Sequence, residues 1–455
     1  MHQRTQANTI KKQSSHLLLE ENQSLSLKYM TIFCCICSDC EDNCCSQWKV
    51  PVDEVHYKML EERMSATPTD RNKFHASVEH NKDFENSEQY ATLKLLPDGK
   101  CSFFCNDGLC SVHKDYGASI LFNSCAFYPR IINVIGKRFE LSATLSCPEI
   151  ARQCLLVDDA TELVKLDLKT LPREISNQPA YLPIDGPYIE YIDTVRYTVF
   201  KLLSHQQYNI NVRLFFCVYF AYRISSFFYK NTTNFSEERL IQEGLRIEIP
   251  TLLNELHKKY NYFGESNSFS MGIIQSFLVL RIKDSQNTKF RQLILDCFET
   301  YNEVGVLTGR APGKPLLTCK KLWEGYEERR SYWESSYGKI TDIYFTNYCR
   351  SSWIKNRYVH KHDLITYFGM LLLQFCIIRF LFYSHPDLNN TQKRLNETTV
   401  EEDIVRNTLD ETIVKVVYLF TKHIEHNSQF VTDLQNILDE LDIKSFANLM
   451  FLLKF

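Results

Sequence analysis

Six cysteines fall within twelve residues, Cys34 to Cys45, in the polar run FCCICSDCEDNCCSQW. A segment this polar and this dense in thiols has no apolar core in which to bury them as inert side chains. Thiolates are soft ligands for zinc and for iron–sulfur clusters. Further cysteines follow in KCSFFCNDGLCSVH (100–113), NSCAFYPR (123–130) and LSCPEIAR (145–152). Twelve of the 17 lie between Cys34 and Cys154. The other five, Cys217, Cys297, Cys319, Cys349 and Cys376, share no spacing and read as small core residues. The count is odd, and the N-terminus has no apolar stretch of signal-peptide length. Both argue against a disulfide framework and for the reducing cytoplasm.

A single metal or cluster takes about four protein ligands, so distant loops must converge to use these thiols. Spacing does not choose the metal. The paired C-x2-C layout of zinc ribbons is absent, and so is the C-x3-C-x2-C order of radical enzymes that use S-adenosylmethionine. Cys37, Cys40 and Cys44 give the reverse order, C-x2-C-x3-C.

The rest of the chain narrows the class. A net charge of −3 lacks the basic excess of a nucleic-acid binder. Glycine is scarce, 14 in 455 residues, which argues against folds built on many tight phosphate-cradling turns. Leu364–Tyr383 has the length of a membrane span but contains Gln374 and Arg379, and charge is costly at bilayer depth. It reads as a buried helix, with no membrane insertion.

Residues 1–28 form a polar tail, disordered or loosely attached. A Cys-rich module occupies 29–170, a Pro-rich linker 171–187 and an α-helical domain 188–455. Within the module, Pro51-Val52-Asp53-Glu54 opens a helix to Met64, and Ser65–Gln89 is a polar surface connection. Hairpins are expected at 93–104, turning at Pro97-Asp98-Gly99, and at 131–145, turning at Gly136-Lys137; Asn106-Asp107-Gly108 makes another turn. Helices are expected at 188–203, 211–229, 237–260 and 401–426, the last behind a Thr399–Glu402 capping box. The fold class is mainly α, with a small irregular α+β cysteine-rich metal module on the N-terminal side and a C-terminal helical domain.

The motifs YMTIFCCICSDCEDNCCSQWKVPVD, GKCSFFCNDGLCSVHKDYG, CAFYPRIINVIG and LSATLSCPEIAR, with FTNYCRSSW and FTKHIEHNSQF further on, resemble the flagellin lysine-N-methylase (FliB-type) family. They also share features with putative zinc- or iron-chelating Cys-cluster proteins. The resemblance covers nearly the whole chain after residue 28. Carried over position by position, it implies metal-site cysteines at Cys35, Cys40, Cys44, Cys45, Cys101, Cys110, Cys125 and Cys147, with Cys40, Cys44, Cys45 and Cys125 ranked first. Cys34, Cys37 and Cys105 depart from the pattern; Cys37 stands where the family has glycine. The resemblance implies a [4Fe-4S] cluster, S-adenosylmethionine as methyl donor, and flagellin as the partner whose lysines are methylated.

Lysine methylation needs a neutral amine, although free lysine titrates near about 10.4, so a site must desolvate the amine or supply a base. The Gly-rich turn common at methyl-donor sites is missing, for the chain contains no G-x-G. Gly305, Gly309 and Gly313-Lys314 fail as a phosphate loop, since Pro315 replaces the required Ser or Thr. Either the donor binds in another manner, for instance at a cluster iron lacking a Cys ligand, or the chain is no methyltransferase. Tyr128 is the candidate for polarising the amine and Arg130 for holding the donor carboxylate, against the alternative that both brace the metal loop. His113 is read as hydrogen-bonded rather than ligating, and Asp39, Glu41 and Asp42 as solvated or capping loop amides. The competing function is a non-catalytic protein-binding module stabilised by zinc or an iron–sulfur cluster.

Overall fold

The computed structural model describes residues 23–173, without 47, 83–86 and 136–137. It also describes 192–455, without 230–236, 265–267, 285–287, 302–314, 357–363 and most of 426–444. Most of the expected linker, the Gly136-Lys137 turn, the Gly305–Lys314 cluster and the end of the FTKHIEHNSQF segment lie outside the described residues.

The N-terminal part runs β1 (Leu25–Leu27), β2 (Pro51–Val52), α1 (Glu54–Met64), α2 (Pro68–Ser77), β3 (Val78–His80), β4 (Ala91–Leu93), α3 (Ser111–Tyr116), α4 (Asn123–Phe127), β5 (Arg130–Ile135), β6 (Arg138–Ala143), α5 (Pro148–Leu155) and β7 (Leu163–Lys165). Two small sheets result. The hairpin β5–β6 adds β1 in parallel, pairing Leu25 with Glu140, and β7 closes antiparallel on β1. The second sheet, β2–β4–β3, is antiparallel throughout.

Several local expectations change. Leu25–Leu27, assigned to the tail, is a strand, because β6 and β7 supply hydrogen-bond partners on both sides. Pro51–Val52 is strand rather than helix, and Asp53 caps α1 by accepting the His56 N–H at 3.0 Å. The polar stretch after Ser65 holds α2 and β3. Thr67 caps α2 through the Asp70 N–H, and Pro68 takes the first turn, where its missing N–H costs nothing. The 93–104 hairpin shrinks to a Leu95–Cys101 bridge around a turn with Gly99 at φ +82°.

The C-terminal part is helical: α6 (Ile192–Leu203), α7 (Ile210–Tyr229), α8 (Glu237–Ile247), α9 (Pro250–Tyr262), α10 (Ser268–Asp284), α11 (Thr288–Glu299), α12 (Pro315–Lys355), α13 (Leu364–Tyr383), α14 (Pro386–Glu397), α15 (Glu402–Glu425) and α16 (Phe446–Leu453). The single helix expected over 237–260 is two, because Pro250 cannot continue α8 and instead starts α9. Helix α12 kinks at Tyr337 (φ −128°, ψ 21°), beside Gly338. Helix α15 begins at Glu402, so Glu401 rather than Thr399 accepts its first backbone bonds.

Helix α13 is buried along almost its whole length, as expected for a core helix. Its polar residues find partners within the protein, although the Arg379 Nε has none among the described residues. Arg379 donates to Glu334 at 2.5 Å and to Asn211 at 3.0 Å, and Gln374 accepts from Tyr348 at 3.2 Å.

The cysteine-rich stretch is split between two cores. A small one gathers Val52, Leu60, Phe74, Cys101, Phe103 and Phe122 around the three-stranded sheet, with Cys45, Cys110 and Cys125 at its edge. The four-stranded sheet instead shares one continuous core with the helices, from Leu27, Ile132 and Leu141 to Phe216, Trp353 and Phe380. Polar contacts reinforce that junction. Glu140 on β6 is ion-paired with Arg196 on α6, both buried, and Asn133 donates to the Ile354 and Lys355 carbonyls that end α12 at 3.1 and 3.2 Å. The thiol segments therefore lie where a small α+β unit meets a helical body.

Candidate metal centre

All 17 cysteines are free thiols. The five outside the N-terminal part are buried, as small core residues should be.

Cys154 is buried against the helical body, and short structural elements carry the other eleven. The first loop carries Cys34 to Cys45. The Cys45 carbonyl accepts the Cys101 N–H at 2.7 Å, which fixes this loop beside the 95–101 turn. The turn at Asn106–Gly108 (Gly108 φ +80°) packs on Ser38, and the Phe104–Cys110 bridge closes it. Cys110 precedes α3, Cys125 lies within α4 and Cys147 precedes α5. Helix α4 is held from outside. Its Asn123 N–H donates to buried Asp53 at 2.8 Å, and Arg173 donates to the Asn123 side chain at 2.8 Å.

The eight family-type cysteines form one connected electrostatic neighbourhood with Cys44 at its hub. The charge of Cys44 acts on Cys35, Cys40, Cys45, Cys101, Cys110 and Cys125. Cys147 joins through Cys40 and Cys35. Burial, with the neighbouring thiol charges, pushes Cys40 and Cys101 to about 11 and Cys147 to about 12. Cys44 moves the opposite way, to about 7, because the Cys45 thiol donates to it and Lys422 lies near. Cys34 and Cys37 are exposed; Cys37 interacts with Cys35, and Cys105 with Cys110.

Backbone amides point at many of these sulfurs. Cys35 accepts from the Cys37 N–H at 3.4 Å, and the Asp42 amide favours the Cys40 thiolate. The backbone amides of Phe103 and Phe104 favour the Cys101 thiolate, those of Val112 and His113 the Cys110 thiolate, and those of Glu149 and Ile150 the Cys147 thiolate, each against a larger effect of burial. N–H donors aimed at sulfur favour the thiolate and are a lever on the potential of iron–sulfur centres. Among the described residues, no three Cys, His, Asp or Glu side chains already stand close enough to hold a metal ion. In kind and number the thiols and their N–H donors fit a thiolate-bound centre; ligation would draw the sulfurs together.

Cys37 adopts φ +52°, the left-handed region that favours glycine, and it stands where the family pattern has glycine. Arg130 lies over the Phe33 ring at 5.0 Å, within electrostatic reach of Cys35, Cys147 and Cys34. The Tyr128 hydroxyl is 3.1 Å from that of Ser146, and its ring lies 6.0 Å from that of Trp48. The Trp48 indole N–H in turn donates to the Cys44 carbonyl at 2.7 Å. His113 is exposed on α3, and its backbone N–H reaches Cys110.

Of the carboxylates expected to be solvated, Glu41 is exposed and Asp42 is buried. Glu41 pairs with Arg152 on α5 at 2.7 Å. Asp42 is buried, with Lys289 of α11 at 2.7 Å and Lys422 of α15 at 2.9 Å. Sequence reading missed both lysines, because nothing local to Lys289 or Lys422 marks a partner some 250 or 380 residues away.

Fold and site together define a thiol-rich α+β module seated on a helical domain. Residues 196–452, more than half of the chain, match the family described as FliB lysine N-methylase C-terminal domain. The chain belongs to the FliB lysine N-methylase family. A lysine-N-methylase of Salmonella typhimurium is 28% identical over 156 residues, 34% of this chain and 37% of that protein. The flagellar biosynthetic protein FliU of Salmonella muenchen is 30% identical over 138 residues, 30% of this chain and 78% of that protein. The chain thus spans just over a third of the length of the lysine-N-methylases it matches. No solved structure matches it.

Proposed function

We propose that this protein transfers methyl groups from S-adenosylmethionine to lysine side chains of flagellin in the cytoplasm, with thiols of its N-terminal module holding a [4Fe-4S] cluster. The reading is supported by the electrostatic reach of Cys44 to six of the other family-type thiols, in a member of a lysine N-methylase family. Seventeen free thiols suit a reducing compartment.

When bound, such a cluster would supply a reservoir for one electron and, with only three thiols ligating it, an iron open to oxygen and nitrogen donors. The chain's own residues do the rest. Cys40, Cys44, Cys45 and Cys125 are the leading candidates to hold the cluster. Arg130, beside Cys35 and Cys147, offers a guanidinium for the donor's carboxylate. Tyr128, on the same segment, offers a hydroxyl to orient a neutral target amine. Methyl transfer from sulfonium to nitrogen is an in-line displacement, so alignment supplies most of the acceleration.

The test is incubation of anaerobically prepared protein with flagellin and S-adenosylmethionine, followed by mass spectrometry of lysine-containing peptides. Methyl-sized gains on lysine support the reading; none, with cluster intact, rejects it. The second reading, a metal-stabilised protein-binding module, is favoured by the missing G-x-G turn. It predicts flagellin capture without methyl gain.

A further inference from the structure

We propose that Lys422, held by Asp42, is a positioning residue that lets the helical domain set the charge environment, and so the reduction potential, of the metal centre. The inference rests on the iron–sulfur reading above.

Residues 41–43 join Cys40 to Cys44, and cations from three separate helices grip them. Arg152 of α5 binds Glu41 at 2.7 Å. Lys289 of α11 binds Asp42 at 2.7 Å and the Glu41 carbonyl at 3.4 Å. Lys422 of α15 binds the other Asp42 oxygen at 2.9 Å and the Asn43 carbonyl at 3.3 Å. The Asp42 and Lys422 side chains are only 2% and 4% exposed, whereas Lys289 is 45% exposed.

Arg152 also binds Glu149 at 2.5 Å, so three carboxylates face three cations, but only in the Asp42–Lys422 pair are both side chains buried. Water and salt screen the share of Lys289. Lys422 is screened far less, and its bond to the Asn43 carbonyl places it one residue from Cys44. A cluster bound by thiolates carries net negative charge, which grows on reduction, and local net charge is one of the quantities that sets its potential. Lys422 therefore favours the reduced form, and Asp42 partly offsets it.

The test uses the full chain, prepared anaerobically, as wild type and as Lys422→Met, Lys422→Arg, Lys289→Met and Asp42→Asn. Spectroelectrochemical titration reads the midpoint potential, and a chelator assay reads the rate of metal release. Lys422→Met should lower the potential and Asp42→Asn should raise it, while Lys422→Arg stays near wild type. A merely structural role would move the first two in the same direction; that result, or no shift in either, overturns the proposal. Metal release should be several-fold faster in Lys422→Met and restored in Lys422→Arg. If Lys422→Met does not fold, Lys289→Met must lower the potential by a smaller amount, and an unchanged value overturns the proposal. Wild-type protein that binds zinc refutes the cluster reading separately. The chelator arm then decides the clamp, and equal zinc release from all variants overturns it.

Discussion

Asp53 accepts the backbone N–H of Asn123 at 2.8 Å across seventy residues of chain, while also capping α1 through His56. Burial raises this carboxyl, but the bonds from His56 and Asn123 outweigh it and hold Asp53 below the usual carboxylate range. One side chain thus starts α1 and anchors α4, the helix that carries Cys125. Asp53→Ala leaves both donors without their acceptor. A lost cap costs about 1 kcal/mol and a buried unsatisfied donor about 1–3 kcal/mol, so denaturant titration should show a loss of about 2–4 kcal/mol. Metal content should fall with it, and Asp53→Asn, which keeps an acceptor, should lose less of both.

Cys37 sits at φ +52°, where an L side chain is strained by about 1 kcal/mol. Cys37→Gly should leave metal content unchanged and raise stability by about 0.5–1 kcal/mol. Metal loss in this variant would make Cys37 a ligand and break its assignment as an extra thiol.

Glu140 and Arg196 form a buried ion pair across the junction of the four-stranded sheet and α6. Removing one partner strands the other charge. Arg196→Met should therefore cost about 3–5 kcal/mol in chemical denaturation. The double variant Glu140→Gln/Arg196→Met should recover much of that loss. If the double variant is no better than the single, the pair is not what joins sheet and helix.

His385 and His423 are buried, and burial with nearby cations (Lys415 and Arg281, respectively) lowers both to about 4. The folded state holds them neutral, whereas the unfolded chain takes up protons near about 6.5. Their contribution is thus complete above about pH 6.5 and is lost as pH falls toward 4. Thermal melts should show a steady fall in Tm across that window. Replacing both histidines with glutamine should flatten it.

The long helices were legible from sustained patterns, an unbroken apolar run in α13 and apolar residues at helical spacing in α15. Two missed boundaries had signals in plain view. Thr67-Pro68 with Asp70 marks the start of α2, and Pro250 the break between α8 and α9. Strand β1 had none, because three residues become a strand only when β6 and β7 flank them. The density of thiols suggests soft-metal chemistry, but the set of eight came from resemblance rather than spacing. Asp42 looked solvated because its neighbours in sequence are polar; its burial comes from Lys289 and Lys422, which only the folded helices deliver.

The most direct test of the account is the iron and acid-labile sulfide content of anaerobically purified full-length protein, wild type beside Cys125→Ser. The account predicts brown wild-type protein with iron and sulfide in equal amounts, and their loss in the variant. Colourless wild-type protein containing zinc or no metal, or a Cys125→Ser variant that keeps its full cluster, would contradict it.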